Sequence, residues 1–267
     1  MLILAIDTAT PWGRFALAAD GELLGYQPHN VTGSYADALL PVIDGLLAAA
    51  GRRLGDVDVV AVTDGPGSFT GVRIGVATAK TLAWALGARL CAVSTLAAMA
   101  ADRLAAEPDR HLAVPVLDAR RGEIFAGVFR RAGRWVAEVA APACLSPDDW
   151  WACLRQAIAD LEAPAYVGDG VALLVGEGER LRPELAARGV PAPRSWIPTH
   201  PATARALALA LADPALRDAT AISPFRLVPR YLRGSDAEVI RHVDATPAAP
   251  SPGVDIHSGL DQAEDRS

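Results

Sequence analysis

The chain has 267 residues, 51% of them hydrophobic, with 25 basic against 31 acidic residues and a net charge of −6. That length and apolar content suit one large domain or two small ones with a substantial core. The negative total gives the chain as a whole no electrostatic reason to approach phosphates unaided, although a basic patch can hide inside such a total.

Leu2–Ile6 is a continuous apolar run and predicts a strand covered on both faces. No positively charged segment precedes it, so it reads as a first strand and not as a signal peptide. After a polar loop over Asp7–Trp12, Arg14–Ala19 and Glu22–Tyr26 predict two more strands joined by the hairpin turn Asp20-Gly21. Ser34 opens a helical pattern with Asp37 in capping-box position. Leu39, Leu40, Ile43, Leu46, Leu47 and Ala50 follow at helical spacing, Gly51 is a natural stop, and Pro41 is expected to kink the helix or shift its start. Val57–Val62 predicts a buried strand, Gly65–Gly71 a turn, Val72–Leu86 a helix closed by Gly87, and Leu90–Val93 a strand. Strand, glycine-rich turn, helix and strand make a βαβ unit and hence a parallel sheet.

The second half opens on the same plan. Leu112–Leu117 is an apolar strand ending at Asp118, and after a short turn Glu123–Phe129 is its partner, which points to a duplicated two-lobed α/β architecture. Pro147–Ala159 predicts a helix, Ala165–Val167 a strand running into Gly168-Asp169-Gly170, and Thr203–Leu211 a helix. The expected division is a lobe over 1–100, a smaller lobe over 101–233, and a disordered tail over 234–267, where apolar periodicity disappears. The longest apolar run, Ala206–Ala212, is too short to span a bilayer.

Asp7 and Asp118 both lie at the C-terminal ends of apolar strands, the edge of an α/β sheet where ligands bind and where carboxylates hold hydrated metal beside phosphates. Capping of the local turn is the equal alternative for Asp7. The Gly65–Gly71 turn opens a helix, so its free N–H groups offer an anion cradle to which Ser68 and Thr70 would add hydroxyls. It is neither a Walker motif nor GxGxxG, and a structural turn with a Ser/Thr cap is the stronger reading on physics alone. Gly71, Gly75, Ala79 and Ala83 recur every four residues beside Trp84. Internal packing is the default for such a stripe, but with the apolar helix over Ser34–Ala50 it could also leave a face for a partner. The histidines, His29, His111, His200, His242 and His257, are scattered without HExxH or HxxxH spacing. Cys91, Cys144 and Cys153 form no CxxC pair, which fits a reducing, cytoplasmic setting.

The run Gly65-Pro-Gly-Ser-Phe-Thr-Gly-Val-Arg-Ile-Gly75 closely resembles the TsaB (YeaZ) family of tRNA threonylcarbamoyladenosine biosynthesis. The resemblance extends through Leu4–Thr10, Leu39-Leu40-Pro41, Val93–Leu96, Asp118–Phe125 and Pro229–Arg233. It implies an actin-like ATPase fold and kinship with the catalytic subunit TsaD. In that relative two histidines four apart bind the metal; the matching stretch here, Ser94–Met99, carries no such ligand. The resemblance therefore implies a non-catalytic subunit that binds and activates a TsaD-type enzyme transferring threonylcarbamoyl to adenosine 37 of tRNA. It further implies a TsaE-type ATPase as partner, a homodimer when alone, tRNA contact only through the complex and no membrane partner. Its interface would fall on Leu39, Ile43, Leu46, Gly71, Gly75, Ala79, Ala83 and Trp84. A vestigial nucleotide site would comprise Asp7, Thr8, Ser68, Asp118, Arg120, Gly168 and Gly170, with no metal, no cofactor of its own, and ATP or ADP only at the partner interface. Tyr35 stands where many members have a histidine, so no role of that histidine carries over. The alternative is an independent ATP-dependent small-substrate kinase or ATPase of the same fold.

Overall fold

The computed structural model describes residues 1–30, 35–158, 164–168, 196–197 and 202–233. Strands β1 (Leu2–Asp7), β2 (Trp12–Ala19) and β3 (Glu22–Asn30) form an antiparallel meander. Asp20 and Gly21 make its β2–β3 turn at φ 52° and 85°, a left-handed pair that Asp-Gly adopts readily. After helix α1 (Tyr35–Ala49), strand β4 (Val59–Thr63) pairs parallel to β1, and β5 (Arg89–Val93) pairs parallel to β4. Both β1 and β4 are buried along their whole length, as their unbroken apolar runs require. Helix α2 (Phe69–Leu86) crosses between β4 and β5 and ends at Gly87, whose φ is 63°.

The second sheet repeats this plan. Strands β6 (Leu112–Arg120), β7 (Glu123–Ala132) and β8 (Trp135–Leu145) form a meander, and β9 (Ala165–Val167) and β10 (Trp196–Ile197) add in parallel. The strand orders β3-β2-β1-β4-β5 and β8-β7-β6-β9-β10 are the same. The duplication expected from two similar openings is thus present in the topology.

Helix α3 (Thr95–Ala106) is buried at every position from Thr95 to Leu104. Ala98 packs toward the first sheet, while Leu96, Met99, Ala100 and Leu104 pack with Leu117, Phe125 and Phe129 of the second. A helix buried all round, here with even Asp102 and Arg103 inside, has no amphipathic stripe, which is why the sequence pattern did not mark it. Helix α4 (Pro147–Ile158) covers the second sheet with Trp150, Trp151 and Leu154.

The expected boundary at residues 100/101 does not divide the chain as drawn. Helix α5 (Thr203–Ala210) returns to the first sheet, where Ala204, Leu207 and Ala208 pack among Ile3, Ala5, Ala16 and Ala18. Beyond α6 (Pro214–Thr220), Leu227 enters the same sheet's other core. Met1–Arg233 is one unit. Helix α1 runs through Pro41 as a single element. The capping pair Ser34 and Asp37, the side chain of Tyr35, Gly170 and the expected tail lie outside the described residues.

The small-residue stripe on α2 faces inward. A Cβ at Gly71 would run into the backbone carbonyl of Thr8, and one at Gly75 into the Thr8 hydroxyl. Ala79 and Ala83 are buried in the first sheet's core with Leu39, Ile43 and Leu46 of α1. Of the expected interface residues, seven therefore pack within the chain itself; they let α2 lie close against the β1–β2 loop. Trp84 is the exception, 67% exposed.

This packing predicts opposite outcomes for two glycines. Gly71→Ala meets backbone that cannot yield and should cost about 1–3 kcal/mol in urea unfolding. Gly45→Ala, in mid-α1 with nothing within 4 Å of the added methyl, should stabilise by about 0.5–1 kcal/mol.

Candidate functional site

Asp7 ends β1 with no exposed surface. Its Oδ1 accepts from the Ala9 N–H at 3.0 Å and the Thr63 hydroxyl at 2.7 Å. Its Oδ2 accepts a short hydrogen bond from the Thr203 hydroxyl of α5 and lies 3.6 Å from the guanidinium of Arg14, itself 2% exposed. Of the roughly four lone-pair positions of a carboxylate, three accept hydrogen bonds within the chain, and Arg14 stands beside Oδ2 as its counter-ion. Asp7 is thus an internal tie between segments, bonded to the β1–β2 loop, β4 and α5 and paired with β2.

Thr8 is also spent internally, its hydroxyl donating to the Gly71 carbonyl at 2.7 Å. The Gly65–Gly71 turn docks on the same loop through Ser68 N–H to the Ala9 carbonyl, 2.7 Å. Ser68 caps α2, its Oγ accepting from the Gly71 N–H at 3.3 Å, and is itself exposed. The structural reading of that turn is the one found. Asp118 and Arg120 pair with each other in the β6–β7 turn, at 2.6 Å through the Arg120 N–H and 3.4 Å through its guanidinium. Gly168, at φ 117°, is pressed against the Val116 carbonyl and the Met99 side chain, a position only glycine fills. Of the expected nucleotide set, the structure joins Thr8 to the Ser68 turn and Asp118 to Arg120.

The family model described as TsaD, tRNA N6-adenosine threonylcarbamoyltransferase, matches residues 20–169. The Bacillus subtilis tRNA threonylcarbamoyladenosine biosynthesis protein TsaB is 33% identical over 159 residues, 58% of this chain and 67% of the relative. The Escherichia coli protein of the same name is 35% identical over 55% of this chain and 64% of its own length. The solved structure of YeaZ from Pseudomonas aeruginosa superposes with a TM-score of 0.68 at 27% identity, covering 86% of this chain and 99% of that one. The chain belongs to the TsaB (YeaZ) family. Its fold is accordingly the actin-like ATPase fold, built from the two sheets of equal strand order described above.

In this TsaB-family chain, the stretch Ser94–Met99 is core. Leu96, Ala98 and Met99 are each at most 1% exposed. Beside it lies a cavity of about 390 Å³ lined by Asp64, Ser94, Phe129, Trp135, Glu138 and Arg230 among others. Asp64 Oδ1 and Ser94 Oγ are buried there without a hydrogen-bond partner among the described residues. Burial pushes the Asp64 carboxyl above its ordinary pKa, opposed by the Arg230 guanidinium 3.5 Å from Oδ2. Sequence reasoning passed over this pair. Its signals were an aspartate just before Gly-Pro-Gly at a strand end and an arginine in the C-terminal Pro-Arg-Tyr-Leu-Arg segment.

The first lobe's exposed large apolar side chains include Leu40 on α1 at 50% and Trp84 on α2 at 67%. Phe225 and Val228, 80% and 69% exposed, add to this set from the C-terminal segment.

Asp7→Ala would leave Arg14 buried without its counter-ion and should cost about 3–5 kcal/mol, read from the urea midpoint. Asp64 makes a prediction in pH. A carboxyl whose pKa rises on folding keeps its proton longer in the folded chain, so stability falls as pH rises through the window just above the ordinary carboxylate value. Asp64→Asn, which cannot ionise, should flatten the denaturation midpoint across that window.

Proposed function

We propose that this chain is a non-catalytic subunit of tRNA threonylcarbamoyladenosine biosynthesis that pairs with a TsaD-type transferase and sustains its activity on adenosine 37. The observation that carries the proposal is the internal hydrogen bonding and ion pairing of Asp7 in a member of this family. The edge of the sheet where an actin-like ATPase would place a metal-holding carboxylate instead stitches the fold together. The B. subtilis and E. coli relatives are named for this biosynthesis, which supports the pathway. The apolar surface of α1 and α2 supports the pairing, with Leu40 and Trp84 as anchors. A TsaE-type ATPase, ATP or ADP held at the partner interface, and self-pairing through the same face belong to this reading. An independent kinase or ATPase is the second reading, and the three internal hydrogen bonds to Asp7 weigh against it.

Pairing is tested by co-expression with the transferase. Trp84→Glu and Leu40→Glu each bury an unpaired charge in the complex and should weaken it by about 3 kcal/mol, on the order of 100-fold, without altering the melting of the isolated chain. Ala79→Glu should instead unfold the chain, since Ala79 has no exposure. Undiminished co-purification by both surface variants would remove this face from the interface. Turnover of Mg-ATP by the isolated chain that survives purification to homogeneity would favour the second reading.

A further inference from the structure

The cavity of about 390 Å³ beside α3 is walled by segments distant in sequence. They are the ends of β4 and β5, the start of α3, strands β7 and β8, and the strap of residues 221–233 beyond α6. Backbone bonds fix this frame. Asp64 N–H donates to the Val93 carbonyl at 2.9 Å and Thr95 N–H to the Gly65 carbonyl at 2.8 Å. From the strap, Ile222 N–H donates to the Leu90 carbonyl at 2.9 Å and Arg230 N–H to the Asp64 carbonyl at 2.6 Å. Small-molecule sites enclose about 300–1,000 Å³, whereas one water takes about 30 Å³, so this space has the size of a ligand site and is no packing fault.

The polar groups in it are unspent. Asp64 and Ser94 are 7% and 5% exposed, yet Asp64 Oδ1 and the Ser94 hydroxyl have no hydrogen-bond partner among the described residues. Buried polar atoms are seldom left so, and two facing one cavity call for a ligand that supplies donors. Burial raises the pKa of the Asp64 carboxyl, a cost that an incoming cation would relieve. The Arg230 side chain is 43% exposed and meets Asp64 Oδ2 only at 3.5 Å, which leaves most of its fork of donors open. Two carboxylates, Asp64 and the exposed Glu138, face this one guanidinium, so a phosphate or other plain anion is disfavoured. A plain cation would leave the guanidinium unused. The remaining wall is apolar, with Ala97, Trp135, Val136 and Ile222.

We infer that this cavity binds a small zwitterion, a free α-amino acid with an aliphatic side chain. Its ammonium lies on Asp64 Oδ1 and the Ser94 hydroxyl, its carboxylate on the Arg230 guanidinium, and its side chain against Trp135 and Val136. Asp64 and Arg230 stand side by side, and an α-amino acid carries its two charges on one carbon, so one small molecule satisfies both. The inference goes beyond the pairing reading and does not rest on it.

The experiment is calorimetric titration of the full chain with L-valine and its two single-charge counterparts. These are isobutylamine, which lacks the carboxylate, and isovalerate, which lacks the ammonium. L-valine should bind with a Kd on the order of 1 mM or tighter, and each counterpart at least about 10-fold more weakly. Asp64→Asn and Arg230→Gln should each weaken L-valine about 10-fold. Ser94→Ala should weaken it about 3-fold while the melting temperature holds or rises, because that hydroxyl makes no cap bond to α3. No heat with L-valine at about 50 mM would overturn the inference. So would isobutylamine binding as tightly as L-valine, or an affinity for L-valine unchanged by both charge-removing variants. The pairing reading is tested separately, by co-purification, and is untouched by each of these outcomes.

Discussion

A carboxylate without exposure sits where four segments meet, and the arrangement of the first sheet follows from it. Asp7 belongs to β1, Arg14 to β2, Thr63 to β4 and Thr203 to α5. Burying such a group is costly unless each lone pair is satisfied, so the four segments must come together for any of them to be stable there. The tie explains why α5, nearly 200 residues from Asp7, returns to the first sheet after the chain has built the second.

The same tie separates fold from chemistry. An actin-like sheet places a carboxylate at this strand end whether or not it works on a nucleotide. What decides is whether its oxygens are free. Here two threonine hydroxyls, an N–H and a guanidinium occupy them, and Thr8 beside it is committed to α2. The neighbouring α3 is packed between two sheets by Leu96, Ala98 and Met99. The large apolar side chains left exposed include Leu40, Trp84 and, in the strap of residues 221–233, Phe225 and Val228.

Asp64 is the contrasting case. It lies in a cavity with one oxygen unpartnered, next to a similarly unpartnered Ser94 hydroxyl, and its link to Arg230 is long at 3.5 Å. A native interior rarely leaves two such atoms unmatched. The Arg230 backbone bond to Asp64 makes this cavity one anchorage of the strap, so its polarity bears on how firmly the strap is held.

The sequence by itself determined the elements whose signal is local. The unbroken apolar runs at Leu2–Ile6 and Ala165–Val167, bounded by turn residues, read as buried strands, Asp20-Gly21 read as a tight turn, and Gly87 ended α2 as a left-handed cap should. The repeated opening at Leu112 disclosed the duplicated plan, and the Gly65–Gly75 run disclosed the family. Tertiary structure decided what depends on neighbours distant in the chain. Helix α3 escaped notice because it is buried on all sides, and β8, though a long strand, has no apolar alternation to mark it. The stripe of Gly71, Gly75, Ala79 and Ala83 showed that something approaches α2 closely. A spacing of four cannot say whether that is a partner or the chain's own Thr8, and only the path of β1 settled it in favour of Thr8.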